Sequence, residues 1–192
     1  MYQVQSKNSY RGYEVKKAMK IGIISDTHKK VKKAARAINA LINDGAEFII
    51  HAGDIVEIEI LEMLKESGVR YVAVYGNNDA HLAQHHSKFN LVQEPYYFRL
   101  ANTNFKLMHL PFYLIPDADV IIYGHTHKSS VEFVNDTLFL NSGEVCARNK
   151  PISEWAMLEI KDNEFIVTLY RRTNKSDSIE KQEFNFKREE NE

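Results

Sequence analysis

Two histidines one residue apart, His125 and His127, close the apolar run in "DVIIYGHTHKSS", residues 119–130. One histidine after a buried strand is ordinarily a hydrogen-bonded core residue. A pair at this spacing can also aim both rings at a single point, as metal ligands do. The deciding matter is whether other segments deliver partners. "KIGIIS" runs into Asp26, with His28 two residues on; "FIIHAG" runs into Asp54, "YVAVYG" into Asn77 and "FKLM" into His109. Taken singly, Asp26 reads as a helix cap, Asp54 and Asn77 as turn residues, and His109 as a core or surface histidine. Taken together, so many charged or strongly hydrated groups are costly to converge without a cation. Carboxylate and amide oxygens mixed with imidazoles suit divalent transition metals, and no thiolate in the set favours a structural zinc site. Seven protein ligands are too many for one ion that keeps a position open for water. They suit two ions about 3.5–4 Å apart, bridged by one carboxylate. Gly53, Gly76 and Gly124 directly precede three of the candidates, where a sharp turn and close backbone approach favour a residue without Cβ.

Such groups have to be presented by strand ends. "KIGIIS", "AEFIIHAG" and "RYVAVYG" read as buried strands, separated by the amphipathic patterns "VKKAARAINALINDG" and "IEILEMLKESG". That rhythm implies parallel strands joined by right-handed crossovers, and open α/β sheets bind ligands at the carboxyl ends of their strands. After residue 95 the rhythm changes to short strands with little helix: "YYFRL", "FKLMHL", "VIIYG", "SVEFV", "TLFLN", "WAMLEI" and "EFIVTLY". The expected fold is α/β, with two mixed β-sheets packed face to face and flanked by helices.

The 192 residues fit one domain, with 44% apolar and 27% charged residues as in ordinary globular proteins. A formal net charge of −1 excludes the global basic field of a non-specific nucleic-acid binder. Cys146 is the single cysteine, so no internal disulfide forms, and no apolar run approaches membrane-spanning length. A cytoplasmic protein is the default expectation. Residues 1–18 are polar and basic, read as an appendage, with Met19 an alternative start; residues 19–172 form the domain. Residues 173–192 read as a solvated charged tail, in which the alternation of "EFNFK" could instead add an edge strand.

The set D-x-H, G-D, G-N-x-[DE], H and G-H-x-H, here Asp26/His28, Asp54, Asn77, His109 and His125/His127, resembles the signature of the calcineurin-like metallophosphoesterases. The resemblance covers residues 19–172 and is nearest to the small single-domain phosphodiesterases of bacteria and archaea. It implies a four-layer α/β/β/α sandwich and two divalent ions, with Mn first choice and Fe, Ni or Zn open. Asp26, His28 and His127 would hold one metal, Asn77, His109 and His125 the other, and Asp54 would bridge. The implied reaction is hydrolysis of a small phosphodiester or nucleotide, a hydroxide activated by the two metals attacking phosphorus in line. Rival expectations are a phosphomonoesterase or nucleotide pyrophosphohydrolase using the same site. A protein-interaction scaffold, the role of the retromer subunit built on this fold, is another. Relatives are often dimers or tetramers, so a homo-oligomer is possible here.

Two departures stand out. Many relatives carry a histidine after the asparagine that protonates the leaving oxygen or binds phosphate; here it is Asn78, which can donate a hydrogen bond but not a proton. Leaving groups of low pKa and strained cyclic phosphates should therefore be favoured. After His109, "LPFYLIP" stands where relatives often carry a second histidine, and Phe112 and Tyr113 could stack on a nucleobase or pack against a strand. His81 and His85, four residues apart, read as surface histidines before a third metal site. His51 reads as a buried histidine orienting a ligand, and Asp79 and Asn141 as supports of the site. The run "KKVKKAAR" reads as a solvated helix face before an anion-attracting one.

Overall fold

A computed structural model describes residues 18–174, 176 and 178–188, so the N-terminal extension lies, up to residue 17, outside the described residues. The first half runs β1 (Met19–Ile24), α1 (Val31–Asn43), β2 (Phe48–His51), α2 (Ile58–Glu66), β3 (Arg70–Val74), a 3-10 helix (Ala80–Lys88) and β4 (Leu91–Val92). The second half is almost all strand: β5 (Tyr96–Leu100), β6 (Thr103–Leu107), β7 (Val120–Ile122), β8 (Ser130–Val134) and β9 (Thr137–Asn141) precede β10 (Ile152–Lys161), β11 (Glu164–Thr173) and β12 (Glu180–Lys187).

Two mixed sheets result, a seven-stranded one in the order β12-β11-β10-β1-β2-β3-β4 and a five-stranded one in the order β5-β6-β7-β9-β8. β1, β2, β3 and β4 are mutually parallel, with Ile21 opposite Phe48 and Ile50 opposite Val72. The sheets face each other across a core to which the larger gives Ile21, Ile23, Ile50 and Val72, and the smaller Phe105, Leu107, Ile122 and Leu140. The strands of this core read as near-continuous apolar runs because they are covered on both faces. On the other face of the larger sheet, α1 buries Ala34, Ala37, Ile38 and Leu41 against Ile49, Trp155 and Met157. Full burial of Ile38 and Leu41 contributes roughly 1.5–3 kcal/mol each.

The α/β sandwich of two mixed sheets is as the sequence leads one to expect. The helices, however, are unevenly shared: α1 and α2 both lie on the larger sheet. Among the described residues, the outer face of the smaller sheet, around Met108, Ile121 and Tyr123, is covered by the irregular 109–118 segment. Pro111 and Pro116 deny that segment a helix. Buried Lys106 pins it, its Nζ donating to the Tyr113 carbonyl at 2.8 Å and to Asp117 at 3.0 Å. The expected solvated tail also needs correction: Glu180–Lys187 is β12, antiparallel to β11, with Phe184 and Phe186 packed on the inter-sheet core. Among the described residues no helix is long and apolar enough to cross a membrane.

Candidate metal centre

β1, β2 and β3 run parallel, as do β6, β7 and β9, and the carboxyl ends of both sets meet along one edge. Backbone bonds tie the strand ends together there: within the smaller sheet Gly124 N–H donates to the His109 carbonyl at 3.2 Å, and between the sheets Val145 N–H donates to that of Ser25 at 3.1 Å. His125 N–H donates to Asp26 Oδ2 at 3.1 Å.

All the candidate ligands converge on this edge, in two groups. His127 Nε2 lies 3.2 Å from Asp26 Oδ1 and 3.4 Å from His28 Nε2. Asn77 Oδ1 lies 3.0 Å from both His109 Nε2 and His125 Nδ1. Asp54 stands between them, Oδ2 3.6 Å from His28 Nε2 and Oδ1 3.5 Å from His109 Nε2. Close backbone approach makes this possible. A Cβ on Gly76 would sit 2.3 Å from Asp54 Oδ1, and one on Gly124 would sit 2.1 Å from Ser25 Oγ. Asp26, His28, Asp54, His125 and His127 all hold φ values between 43 and 66°. That region costs non-glycine residues on the order of 1–3 kcal/mol each, and such strain gathers at functional sites.

The hydrogen bonds show what the residues here are able to hold. His109 Nδ1 faces the Ala52 carbonyl at 2.8 Å and must donate to it, so in the neutral ring Nε2 bears a lone pair. That lone pair points at Asn77 Oδ1, another acceptor. His127 Nδ1 likewise donates to Glu144 at 2.5 Å, which turns its Nε2 lone pair on Asp26. Asp26 Oδ1 is accordingly buried without a hydrogen-bond partner. Burial pushes the Asp26 carboxyl above its usual range, the Ser25 hydroxyl opposing, and burial pulls His28 below its own. Charging all four rings instead would pack cations in two pairs with ring centroids 5.3 and 5.2 Å apart. On the Asp26/His127 side, acceptors facing each other in a buried setting are what a bound cation would satisfy, while Asn77 and His125 open to solvent, and the oxygen and imidazole donors of both groups suit divalent ions.

The family model for the calcineurin-like phosphoesterase superfamily domain matches residues 19–163. The chain belongs to that superfamily. A phosphodiesterase of Methanocaldococcus jannaschii is 28% identical over 160 residues, which cover 77% of this chain and 96% of the relative. Among solved structures, a novel archaeal phosphodiesterase is 25% identical with a TM-score of 0.66, covering 86% of this chain and all of that one. Vacuolar protein sorting 29 of Entamoeba histolytica, solved with Zn²⁺, shares the fold with a TM-score of 0.67 at 19% identity, over 87% of this chain and 99% of its own.

Around the candidate ligands lies a set of supporting residues that the sequence reveals only in part. Asn78 donates from its backbone N–H to Asp54 Oδ1 at 3.0 Å and from its amide to Oδ2 at 2.8 Å, so it holds that carboxylate in place. Asp79 is buried and accepts from the N–H groups of Gly76, Ile55 and Val56, lashing the loop after β3 to the loop after β2. Asn141 donates to the Gly124 carbonyl at 3.0 Å and steadies the turn before His125. Two further residues carry no spacing signal in the sequence. Glu94 accepts from the backbone N–H groups of His109 and Leu110. Glu144 holds His127. Burial alone would raise the Glu144 carboxyl, but hydrogen bonds from His127, Cys146 and the N–H groups of Asn149 and Lys150 keep it below its usual range.

Cys146 stands close to His28 and His127; its thiol is buried, pushed up to about 12, and donates to Glu144. Other sequence candidates fall away from the centre. His81 donates to the Val56 carbonyl, and a 3-10 helix sets residues four apart on different faces, so His81 and His85 form no pair. Phe112 and Tyr113 are exposed rather than packed against the strand.

His51 is wholly buried, bonded through Nε2 to Thr27 Oγ1 at 2.9 Å, and burial lowers its pKa to about 3. The unfolded ring takes up a proton below about pH 6.5, while the folded ring does not. Stability should therefore fall as pH drops from that value, by up to about 1.4 kcal/mol per unit from this group. In metal-free protein, His51→Gln is expected to flatten the pH slope of unfolding free energy between pH 6 and 4 by close to one proton. An unchanged slope in denaturant titrations would mean that His51 does not remain neutral.

Proposed function

We propose that the chain is a phosphodiesterase that works with two divalent metal ions at this edge. The observation that carries the reading is the buried Asp26 Oδ1, which has no hydrogen-bond partner and is faced by the Nε2 lone pair of His127, with the Nε2 lone pair of His109 turned on Asn77 Oδ1 beside it. Asp26, His28 and His127 fit one ion, Asn77, His109 and His125 a second, and Asp54 the bridge. When bound, such a pair lowers the pKa of water, polarises the phosphoryl oxygens and offsets the charge that develops in an in-line displacement.

The chain's own residues prepare the rest. Asn78 orients Asp54, and Glu144 and the Ala52 carbonyl fix which nitrogen of His127 and of His109 is free. The Asn78 amide has no proton to release, so a leaving oxygen beside it departs without an acid. That favours leaving groups of low pKa and strained cyclic phosphates. The archaeal phosphodiesterase relative, matched over 96% of its length, supports the diester specificity, and the zinc complex of the Entamoeba protein is a precedent for a divalent ion on this fold. A scaffold role is the weaker reading, because a decayed site would have lost at least one ligand type.

Chelator-stripped protein should be inert towards bis-p-nitrophenyl phosphate and regain hydrolysis with Mn²⁺, with Fe²⁺, Ni²⁺ and Zn²⁺ compared alongside. The monoester p-nitrophenyl phosphate should turn over more slowly; the reverse preference would favour a phosphomonoesterase. Two ions bound per chain with neither ester hydrolysed would overturn the enzyme reading in favour of the scaffold.

A further inference from the structure

A cavity of about 560 Å³ opens beside the centre, sharing His28 and Asn78 with it. Its volume lies within the usual range for small-molecule sites, roughly 300–1,000 Å³. Lys29 and Lys30, directly after the candidate ligand His28, line it together with Arg148. The basic run that reads from sequence as a mere solvated face thus begins at the wall of this cavity. Val56, Cys146 and Ala147 add small or apolar wall, and among the described residues neither a carboxylate nor a Phe, Tyr or Trp ring contributes to it.

The placement of Arg148 is built rather than incidental. Ala147 takes a left-handed φ of 52°, and Lys33 Nζ, from the first turn of α1, donates to the Cys146 carbonyl at 2.9 Å. The Asn149 and Lys150 N–H groups anchor the far side of Arg148 to buried Glu144. Lys33 and Glu144 therefore hold the turn that carries Arg148 next to the segment carrying Lys29 and Lys30. Among the described residues the His28 imidazole is the one ring that lines it, and Asn78, His28 and the Cys146 thiol are the uncharged polar side chains, so its three cations dominate what the cavity reads. A base or sugar would find only general contact there.

We infer that this cavity seats a second phosphate, carried on the arm of the phosphodiester beyond the scissile group. The inference rests on the phosphodiesterase reading and narrows its substrate to diesters with a phosphorylated arm, such as a nucleotide or oligonucleotide end. Arginine and lysine together suit it, the guanidinium gripping two phosphate oxygens and the ammonium groups acting as point charges.

The test compares two esters on Mn²⁺-loaded protein: thymidine 5′-(p-nitrophenyl phosphate) and its 3′-phosphorylated counterpart. Wild type should favour the phosphorylated ester about tenfold in kcat/KM, chiefly through KM. That ratio should fall towards one in Arg148→Ala and in the Lys29→Ala/Lys30→Ala double variant. Any general damage lowers both esters alike and cancels in the ratio. No preference in wild type, or a preference untouched by either variant, overturns the inference. If loaded wild type turns over neither ester nor bis-p-nitrophenyl phosphate, the phosphodiesterase reading fails instead. Calorimetric binding of thymidine 3′,5′-bisphosphate against thymidine 5′-phosphate then decides the subsite by itself: tighter bisphosphate binding that Arg148→Ala removes supports it, and equal binding overturns it.

Discussion

Replacing Asp54 by asparagine is expected to lower hydrolysis of bis-p-nitrophenyl phosphate by a factor of about 10³ or more while leaving the fold intact. The side chain faces both ligand groups, 3.6 Å from His28 Nε2 and 3.5 Å from His109 Nε2, and is almost fully buried. It is the one carboxylate placed to be shared by two ions, so its charge counts towards both. Asparagine keeps the shape but removes that charge, and the damage goes further. Asn78 presents a backbone N–H to Oδ1 and an amide N–H to Oδ2. The new amide has one oxygen, which the fixed Asn78 backbone N–H claims, so its N–H₂ group faces the Asn78 side chain, which must turn its own amide oxygen inward to accept. A thousandfold loss corresponds to about 4 kcal/mol of transition-state stabilisation, in keeping with losing a shared ligand in a water-poor site. Metal analysis should fall from two ions per chain to one or none, with unfolding in the metal-free state little changed. Exposed Glu59, on the first turn of α2, gives the control: Glu59→Gln should leave rate and metal content alone. An Asp54→Asn protein that keeps two ions and a rate within tenfold of wild type would remove Asp54 from the bridging role.

How much of this was legible beforehand depends on where each residue is carried. Asp26, Asp54, Asn77, His109 and the His125/His127 pair each end an apolar run, so a strand reading places them at one sheet edge without any coordinates. The helix over Val31–Asn43 and the parallel order of β1, β2 and β3 follow from periodicity in the same way. Glu144 and Glu94 are different. They are delivered by loops, and what makes them matter is a partner distant in sequence: His127 for one, the backbone of His109 for the other. No spacing rule reaches across those gaps. The left-handed φ at five of the candidate ligand positions is only weakly written in the sequence: aspartate and histidine are enriched in that region, but most of them lie elsewhere. β12 was only half legible: the alternation of Phe184 and Phe186 was visible, but it is set among charges that read equally well as a solvated tail, and pairing with β11 decides it.

The uneven helical cover has a related cause. Composition and rhythm say that a second sheet exists, but whether its outer face carries a helix depends on the connection after β6. There Pro111 and Pro116 rule out a helix, and the buried Lys106 ammonium takes over the task of holding the segment down. The residues that hold a loop in place, like those that hold a ligand, are often far from what they hold.

Glu144→Gln tests that idea where its expected effect is second only to that of Asp54. In wild type, Glu144 Oε1 accepts from the N–H groups of Asn149 at 2.8 Å and Lys150 at 3.1 Å, while Oε2 accepts from His127 Nδ1 and from Cys146 Sγ. A glutamine has one oxygen for these two positions. The two backbone donors cannot move without the chain, so they claim it, and the N–H₂ group lands where Oε2 was. It then points a donor at His127 Nδ1. The ring answers by moving its proton to Nε2, where Asp26 Oδ1, 3.2 Å away and otherwise unpartnered, accepts it. The variant thus gains a hydrogen bond in the metal-free state, and its stability should be close to wild type. What it loses is the lone pair aimed at the centre. Affinity for the ion between Asp26, His28 and His127 should drop by about 10- to 100-fold, the usual cost of losing a carboxylate behind a metal-binding histidine. The ¹⁵N shifts of the His127 ring in metal-free protein report the tautomer directly: Nε2 bare in wild type, Nδ1 bare in the variant. A merely structural glutamate would leave those shifts alone and lower stability instead. Wild-type metal affinity together with an unmoved proton would show that Glu144 does not set the orientation of His127.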